Sequence, residues 1–115
     1  MRPPKVCRVD TSNVTFVIAD NPDRHRYEIR VDDQLAGFVQ YRRRPGLIAF
    51  LHTEVDPTFE GRGVGSQLVA GVLDAARAEG AGVLPFCPFV NGYIERHSEY
   101  ASLVPEELRS KFGLQ

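Results

Sequence analysis

The sequence predicts an α+β fold, and three observations predict it. Alternating apolar runs separated by turn residues fill the first half, a glycine-rich loop follows at residues 61–65, and that loop runs into a helix with a single apolar face. Residues 1–12 are polar and proline-bearing, which suits a loose or edge segment. Val14-Thr15-Phe16-Val17-Ile18 reads as a strand, ended by Asp20-Asn21-Pro22-Asp23. Residues 24–31 alternate, with Tyr27, Ile29 and Val31 opposite Glu28 and Arg30. Asp32-Asp33-Gln34 turns the chain, and residues 35–41 return as an antiparallel partner.

Arg42-Arg43-Arg44-Pro45-Gly46 reads as a second turn, its arginines forming a solvated hairpin tip. The third run, residues 47–55, sets Leu47, Ala49, Leu51 and Thr53 against Ile48, Phe50, His52 and Glu54. Its apolar start predicts a central strand covered on both faces. From Gly63 to Glu79 the row Val64, Leu68, Val72 and Ala76, with Val69 and Leu73 beside it, has helical spacing, and Gly80 and Gly82 stop it. Val83-Leu84-Pro85-Phe86 is a short strand in which Pro85 lacks one ladder donor. Pro88 opens a second helix to about His97, and Val104-Pro105-Glu106-Glu107 a last short helix or tail. The strand, loop, helix and following strand together predict a right-handed βαβ unit at the end of a meander.

At 115 residues the chain is expected to be one domain, residues 1–115, with its core at about 14–100. A formal net charge of −1 leaves no electrostatic footprint for nucleic acid. No apolar run approaches a membrane span, and Met1-Arg2-Pro3-Pro4-Lys5 lacks the apolar core of a signal peptide. Cys7 and Cys87 stand too far apart in sequence for a disulfide framework, so free thiols and a cytoplasmic setting are expected. Neither these cysteines nor His25, His52 and His97 have metal-ligand spacing, so no metal is expected.

The stretch Phe59-Glu60-Gly61-Arg62-Gly63-Val64-Gly65-Ser66 carries the chemistry. Glycines at alternate positions let the backbone approach a ligand closely, and a helix start offers unpaired N–H groups and partial positive charge, which suits a phosphate or pyrophosphate. It is not a P-loop, because Ser66 and Gln67 stand where Lys and Ser/Thr would be needed. Nor is it a dinucleotide fingerprint, since the pattern is Gly-x-Gly-x-Gly and lies mid-chain.

The loop does resemble the coenzyme A loop of the GNAT superfamily of N-acetyltransferases, Gln/Arg-x-x-Gly-x-Gly/Ala, with Glu60 where Gln or Arg is usual. The chain is closer still to very small GNAT-like proteins: His52-Thr53-Glu54-Val55, the loop, Cys87-Pro88-Phe89 and Tyr93-Ile94-Glu95-Arg96-His97 follow in that order. The resemblance covers roughly residues 24–100. It implies a mixed, mostly antiparallel sheet with a C-terminal βαβα unit, lacking the usual N-terminal helices and so leaving an open acceptor site. It also implies acetyl-CoA as acyl donor. The pyrophosphate would lie on Gly61, Arg62, Gly63, Val64, Gly65 and Ser66. The pantetheine arm would pair with the strand backbone at Val55 and touch Asn91.

The acceptor implied is an amine, on a small molecule or as a protein lysine or N-terminus. Only a neutral amine is nucleophilic, so a base is needed. His52 and Glu54, two apart on a strand, both qualify. Cys87 is expected either as a nucleophile that takes the acetyl group or as a thiol lining its pocket, direct transfer to the amine being the simpler route. Tyr93 is the candidate for protonating the leaving thiolate, one residue early against the family pattern and so turned about 100° around the helix. The alternative is a non-catalytic acetyl-CoA or CoA sensor or partner-regulated module; a third possibility is an interaction protein on this fold that has lost ligand binding.

Overall fold

The computed structural model describes residues 6–11, 14–59, 61 and 63–114. Six strands lie in sequence order in one sheet: β1 (Val6–Thr11), β2 (Val14–Asn21), β3 (Arg26–Val31), β4 (Gln34–Arg44), β5 (Leu47–Val55) and β6 (Gly82–Pro85). All neighbours are antiparallel except β5 and β6, which run parallel and are joined by helix α1 (Val64–Ala78). Helix α2 (Pro88–Arg96) follows β6, and the chain closes in three 3-10 turns, Ser98–Leu103, Glu106–Leu108 and Ser110–Phe112. The fold is α+β, as the sequence predicts. The expected edge segment is the edge strand β1, and the short helix or tail expected from residues 104–107 is the 3-10 turn Glu106–Leu108.

The β3–β4 turn is set by backbone chemistry. Asp32 and Asp33 take positive φ, 49° and 70°, which gives a tight hairpin connection whose twist matches its strands. The apolar row of α1 is wholly buried, as Val64, Leu68, Val72 and Ala76. It belongs to one core with Phe16, Ile18, Ile29, Val31, Val39, Ile48 and Phe50 from four strands. Each such large apolar side chain contributes about 1.5–3 kcal/mol on burial.

Two expectations about β5 need correction. Helices cover one face of this strand, not both: on the opposite face Gln40, Arg42, Leu51, His52 and Glu54 are exposed. The predicted alternation also breaks. Tyr41 pairs with Phe50 and Gln40 with His52, so Leu51 is an extra residue, a β-bulge. Beyond it the faces swap. Thr53 takes the core side with Val39, whereas His52 and Glu54 join Gln40 and Phe38 on the open face.

The arginine run is also reassigned, because β4 extends through it. Arg43 pairs with Glu79 at the end of α1 at 2.6 Å and donates to the Tyr27 hydroxyl at 3.2 Å. Tyr41 donates to Asp20 at 2.5 Å, and burial together with that carboxylate holds its hydroxyl well above the usual tyrosine range. Arg42 and Arg44 are exposed.

On the open face, Glu28 accepts from Arg26 Nε at 2.8 Å and Asn21 Nδ2 at 3.2 Å, with Arg30 at 3.7 Å. Burial acts to raise its pKa, but the Arg26 and Asn21 hydrogen bonds and the two guanidinium charges outweigh that and hold it below the usual value of 4.5. A lowered carboxylate stabilises the fold above its unfolded pKa and loses that contribution as pH falls through the folded value. The stability gap between the natural protein and Glu28→Gln should therefore narrow as pH falls from above the usual carboxylate value through the lowered folded value in urea titrations. A gap that widened on acidification would contradict this account.

Candidate active site

The site begins where two parallel strands part. β6 pairs with β5 only from Leu47↔Gly82 to Phe50↔Pro85. Pro85 has no N–H to continue the ladder, and the Phe86 N–H folds back on Leu84 C=O at 3.0 Å, a three-residue turn that bends the chain away. The Cys87 N–H to Phe50 C=O bond, 2.9 Å, closes the base of the fork. On the β6 side, residues 51–55 of β5 then run on without a strand beside them among the described residues, while β4 still pairs with the other edge. Asp56 turns its N–H to Ala36 of β4, so by alternation the backbone groups of Thr53 and Val55 face the opened edge. An extended amide-bearing ligand can pair there as an added strand.

The glycine loop lies between the end of β5 and α1. Gly61 and Gly63 have φ of 81° and 73°, a backbone that side-chain-bearing residues rarely adopt. Gly63 is also the N-cap of α1 and supplies no capping side chain; the first intrahelical bond is Gln67 N–H to Gly63 C=O. The amides of Val64, Gly65 and Ser66 thus have no helical partner and point out at the positive end of the helix. A Cβ on Gly65 would stand 2.6 Å from the Phe89 ring, which is half-exposed over this turn. Arg62, expected on the pyrophosphate, lies outside the described residues.

The other candidate residues fall into separate groups. On the open face, His52 Nε2 and Glu54 Oε2 are 3.1 Å apart, and the Phe38 ring meets the imidazole edge-on at 6.3 Å. A carboxylate only accepts, so Nε2 carries the hydrogen and Nδ1 is the basic nitrogen of the neutral ring. Beside Glu54 is a hollow of about 250 Å³ between residues 35–38 and 54–57, with Glu54 and Asp56 among its lining residues.

Cys87 lies on the other side of β5. It is buried, and its Sγ is 3.2 Å from Thr53 Oγ1. Thr53 stands between His52 and Glu54 in sequence and projects oppositely, so the thiol and the His–Glu pair are on different faces of β5. Asn91, one turn along α2 from Cys87, donates from Nδ2 to Phe112 C=O at 2.9 Å. Tyr93 is buried, stacked on His97 with ring centroids 4.0 Å apart and 5.9 Å from Tyr100. Burial, then Glu99 and Asp74, raise its pKa.

Among the described residues no group of three or more His, Cys, Asp or Glu side chains comes together. None of their helices is long and apolar enough to cross a membrane.

A model of the GCN5-related N-acetyltransferase family matches residues 26–103. The chain belongs to this family. No curated protein matches the chain. Within the matched residues lie both the forked strands and the glycine loop opening a helix. Sequence reasoning had passed over Thr53, Phe38 and Asp56. Asp56 was within reach, since it continues the i, i+2 spacing of His52 and Glu54. Phe38 and Thr53 gain their roles only from strand pairing across long sequence separations.

Proposed function

We propose that the protein is an acetyl-CoA-dependent N-acetyltransferase acting on a primary amine, of the kind carried by a protein lysine or N-terminus. The observation that carries this is the fork, whose free β5 edge leads directly to an uncapped glycine-rich helix start. The amides of Val64, Gly65 and Ser66 hold the pyrophosphate, and the backbone of Val55 pairs with the pantetheine arm. Bound acetyl-CoA supplies an activated thioester, whose acetyl carbon the amine takes as the C–S bond breaks. The residues fit: the helix start offers backbone N–H donors, and among the described residues nothing beyond the chain neighbours stands within 4 Å of where a Cβ on Gly61 or Gly63 would be.

His52 and Glu54 serve the acceptor. Glu54 holds the imidazole by Nε2, which leaves Nδ1 to take the ammonium proton, and Glu54 with Asp56 draws a cationic amine to the open face. Direct transfer is favoured over a Cys87 intermediate because the thiol is sealed against Thr53 on the opposite side.

The test is thermal unfolding with and without acetyl-CoA, NAD and ATP serving as controls, followed by thiol release in the presence of amines. At ~100 times its dissociation constant a ligand adds about 2.7 kcal/mol, a shift on the order of ten degrees for this size. The His52→Gln, Glu54→Gln double variant should keep the shift and lose about 10²-fold or more in kcat. Unchanged turnover would remove both residues from catalysis. The packing of Tyr93 against His97 favours a second reading, a sensor that binds acetyl-CoA without turnover; a thermal shift with no thiol release from any amine would establish it.

A further inference from the structure

The last two 3-10 turns, Glu106–Leu108 and Ser110–Phe112, lie beyond the residues the family model matches, yet the final one reaches the site. Residues 109–114 are fixed there: Leu114 is buried and its N–H bonds to Arg109 C=O at 2.7 Å, and Arg109 Nε donates to Ala101 and Val104 carbonyls. The Phe112 ring meets Phe86 edge-on at 5.2 Å, at the point where β6 turns away from β5. Lys111 Nζ stands 5.8 Å from the centre of the same Phe86 ring. The Phe112 carbonyl takes the Asn91 Nδ2 hydrogen bond.

That last contact has a directional effect. A carbonyl only accepts, so the atom of Asn91 facing Phe112 must be the NH₂, and the amide cannot be the other way round. Asn91 Oδ1 is thereby committed to the opposite side. It is buried and has no hydrogen-bond partner, alone in this among the buried side-chain N and O atoms of the described residues. Folded proteins pair nearly all such atoms, and an unpaired one asks for a donor. Cys87 and Asn91 are four apart and share a face of α2. Since Cys87 touches the Thr53 side chain, that face begins against the stretch of β5 whose backbone lines the opened edge. A pantetheine arm carries amide N–H donors.

We propose that the C-terminal segment is a working part of the cofactor site. The Phe112 carbonyl orients the Asn91 side chain so that Oδ1 accepts an N–H of the pantetheine arm. Phe112 is a positioning residue that acts through Asn91. This rests on the reading that acetyl-CoA lies along β5.

Titration calorimetry on the full chain and on a chain ending at Ser110 tests it, with two probes. Acetyl-CoA carries the arm, whereas adenosine 3′-phosphate 5′-diphosphate is the nucleotide half without it. Truncation should weaken acetyl-CoA by about tenfold, one buried hydrogen bond, and leave the nucleotide half within about twofold. KM for acetyl-CoA should rise with kcat nearly unchanged. Adding Asn91→Ala to the truncated chain should cost nothing more, since both changes remove one interaction. The milder Phe112→Gly, which removes the ring with its packing against Phe86 and the core but keeps the rest of the segment, should follow the same pattern if truncation impairs folding. Equal acetyl-CoA affinity with and without the segment overturns the proposal and leaves the cofactor reading intact. Equal loss for both probes overturns it too, as mere structural support. A full chain that binds neither probe overturns both.

Discussion

Gly65→Glu should abolish acetyl-CoA binding in a protein that is no less stable. Gly65 occupies the first turn of α1 with ordinary helical backbone, so a side chain there adds no backbone strain. Leaving glycine improves helix propensity by up to about 1 kcal/mol. A carboxylate near the helix start adds a further ~0.3–1 kcal/mol through the macrodipole. The new Cβ would press on Phe89, but on the far end of a half-exposed ring that can swing aside. Folding is therefore expected to hold or gain. Binding should fail, because the carboxylate competes for the amides that receive the pyrophosphate and repels it. A loss of 100-fold or more, about 2.7 kcal/mol, is expected. In melting experiments the unliganded transition should stay put or rise while the acetyl-CoA shift disappears. A variant that kept its shift would show that the loop holds no phosphate.

Phe50→Ala should be the most damaging single change to the fold. Phe50 is fully buried on β5, opposite Tyr41 of β4 and Pro85 of β6, and its carbonyl receives the Cys87 N–H at the base of the fork. Truncating such a ring costs about 3–5 kcal/mol, against a total stability of about 5–15 kcal/mol for a domain. The melting temperature should drop by roughly 15 degrees, and acetyl-CoA binding should weaken even where the protein stays folded. Urea unfolding gives the figure directly. A cost near about 1 kcal/mol, ordinary for any substitution, would mean that the fork is held together elsewhere.

Much of the architecture was legible in the residues because it follows from periodicity. The row Val64, Leu68, Val72 and Ala76 placed α1 to within a residue at each end, and Tyr27, Ile29 and Val31 placed the buried side of β3. Pro85 reads as lacking a ladder donor within residues 83–86, and the strand ends on it where the fork opens. Three features escaped for physical reasons. Arg42-Arg43-Arg44 looked like a turn because the carboxylates that pair with its middle residue, Asp20 and Glu79, lie far away in sequence. The Leu51 bulge was hidden because the start of β5 is apolar at both parities, so no pattern marks a skipped beat. Asn91 was read as facing the cofactor, but its tether at Phe112 lies in a tail with no regular period. The glycine loop was legible because backbone chemistry shows in composition, whereas pairings such as Thr53 with Cys87 exist only once the sheet has formed.

The extra residue at Leu51 gives β5 two codes in one strand. Before it, even-numbered positions such as Ile48 and Phe50 belong to the interior; after it, even-numbered positions such as His52 and Glu54 belong to the surface. The bulge is a phase shifter, and the whole polar character of the open side near the fork depends on it. Had the strand kept step, the imidazole and both carboxylates would point beneath the helices, where burial penalises charge. A single unpaired residue thus decides whether this edge of the sheet can meet an aqueous amine at all.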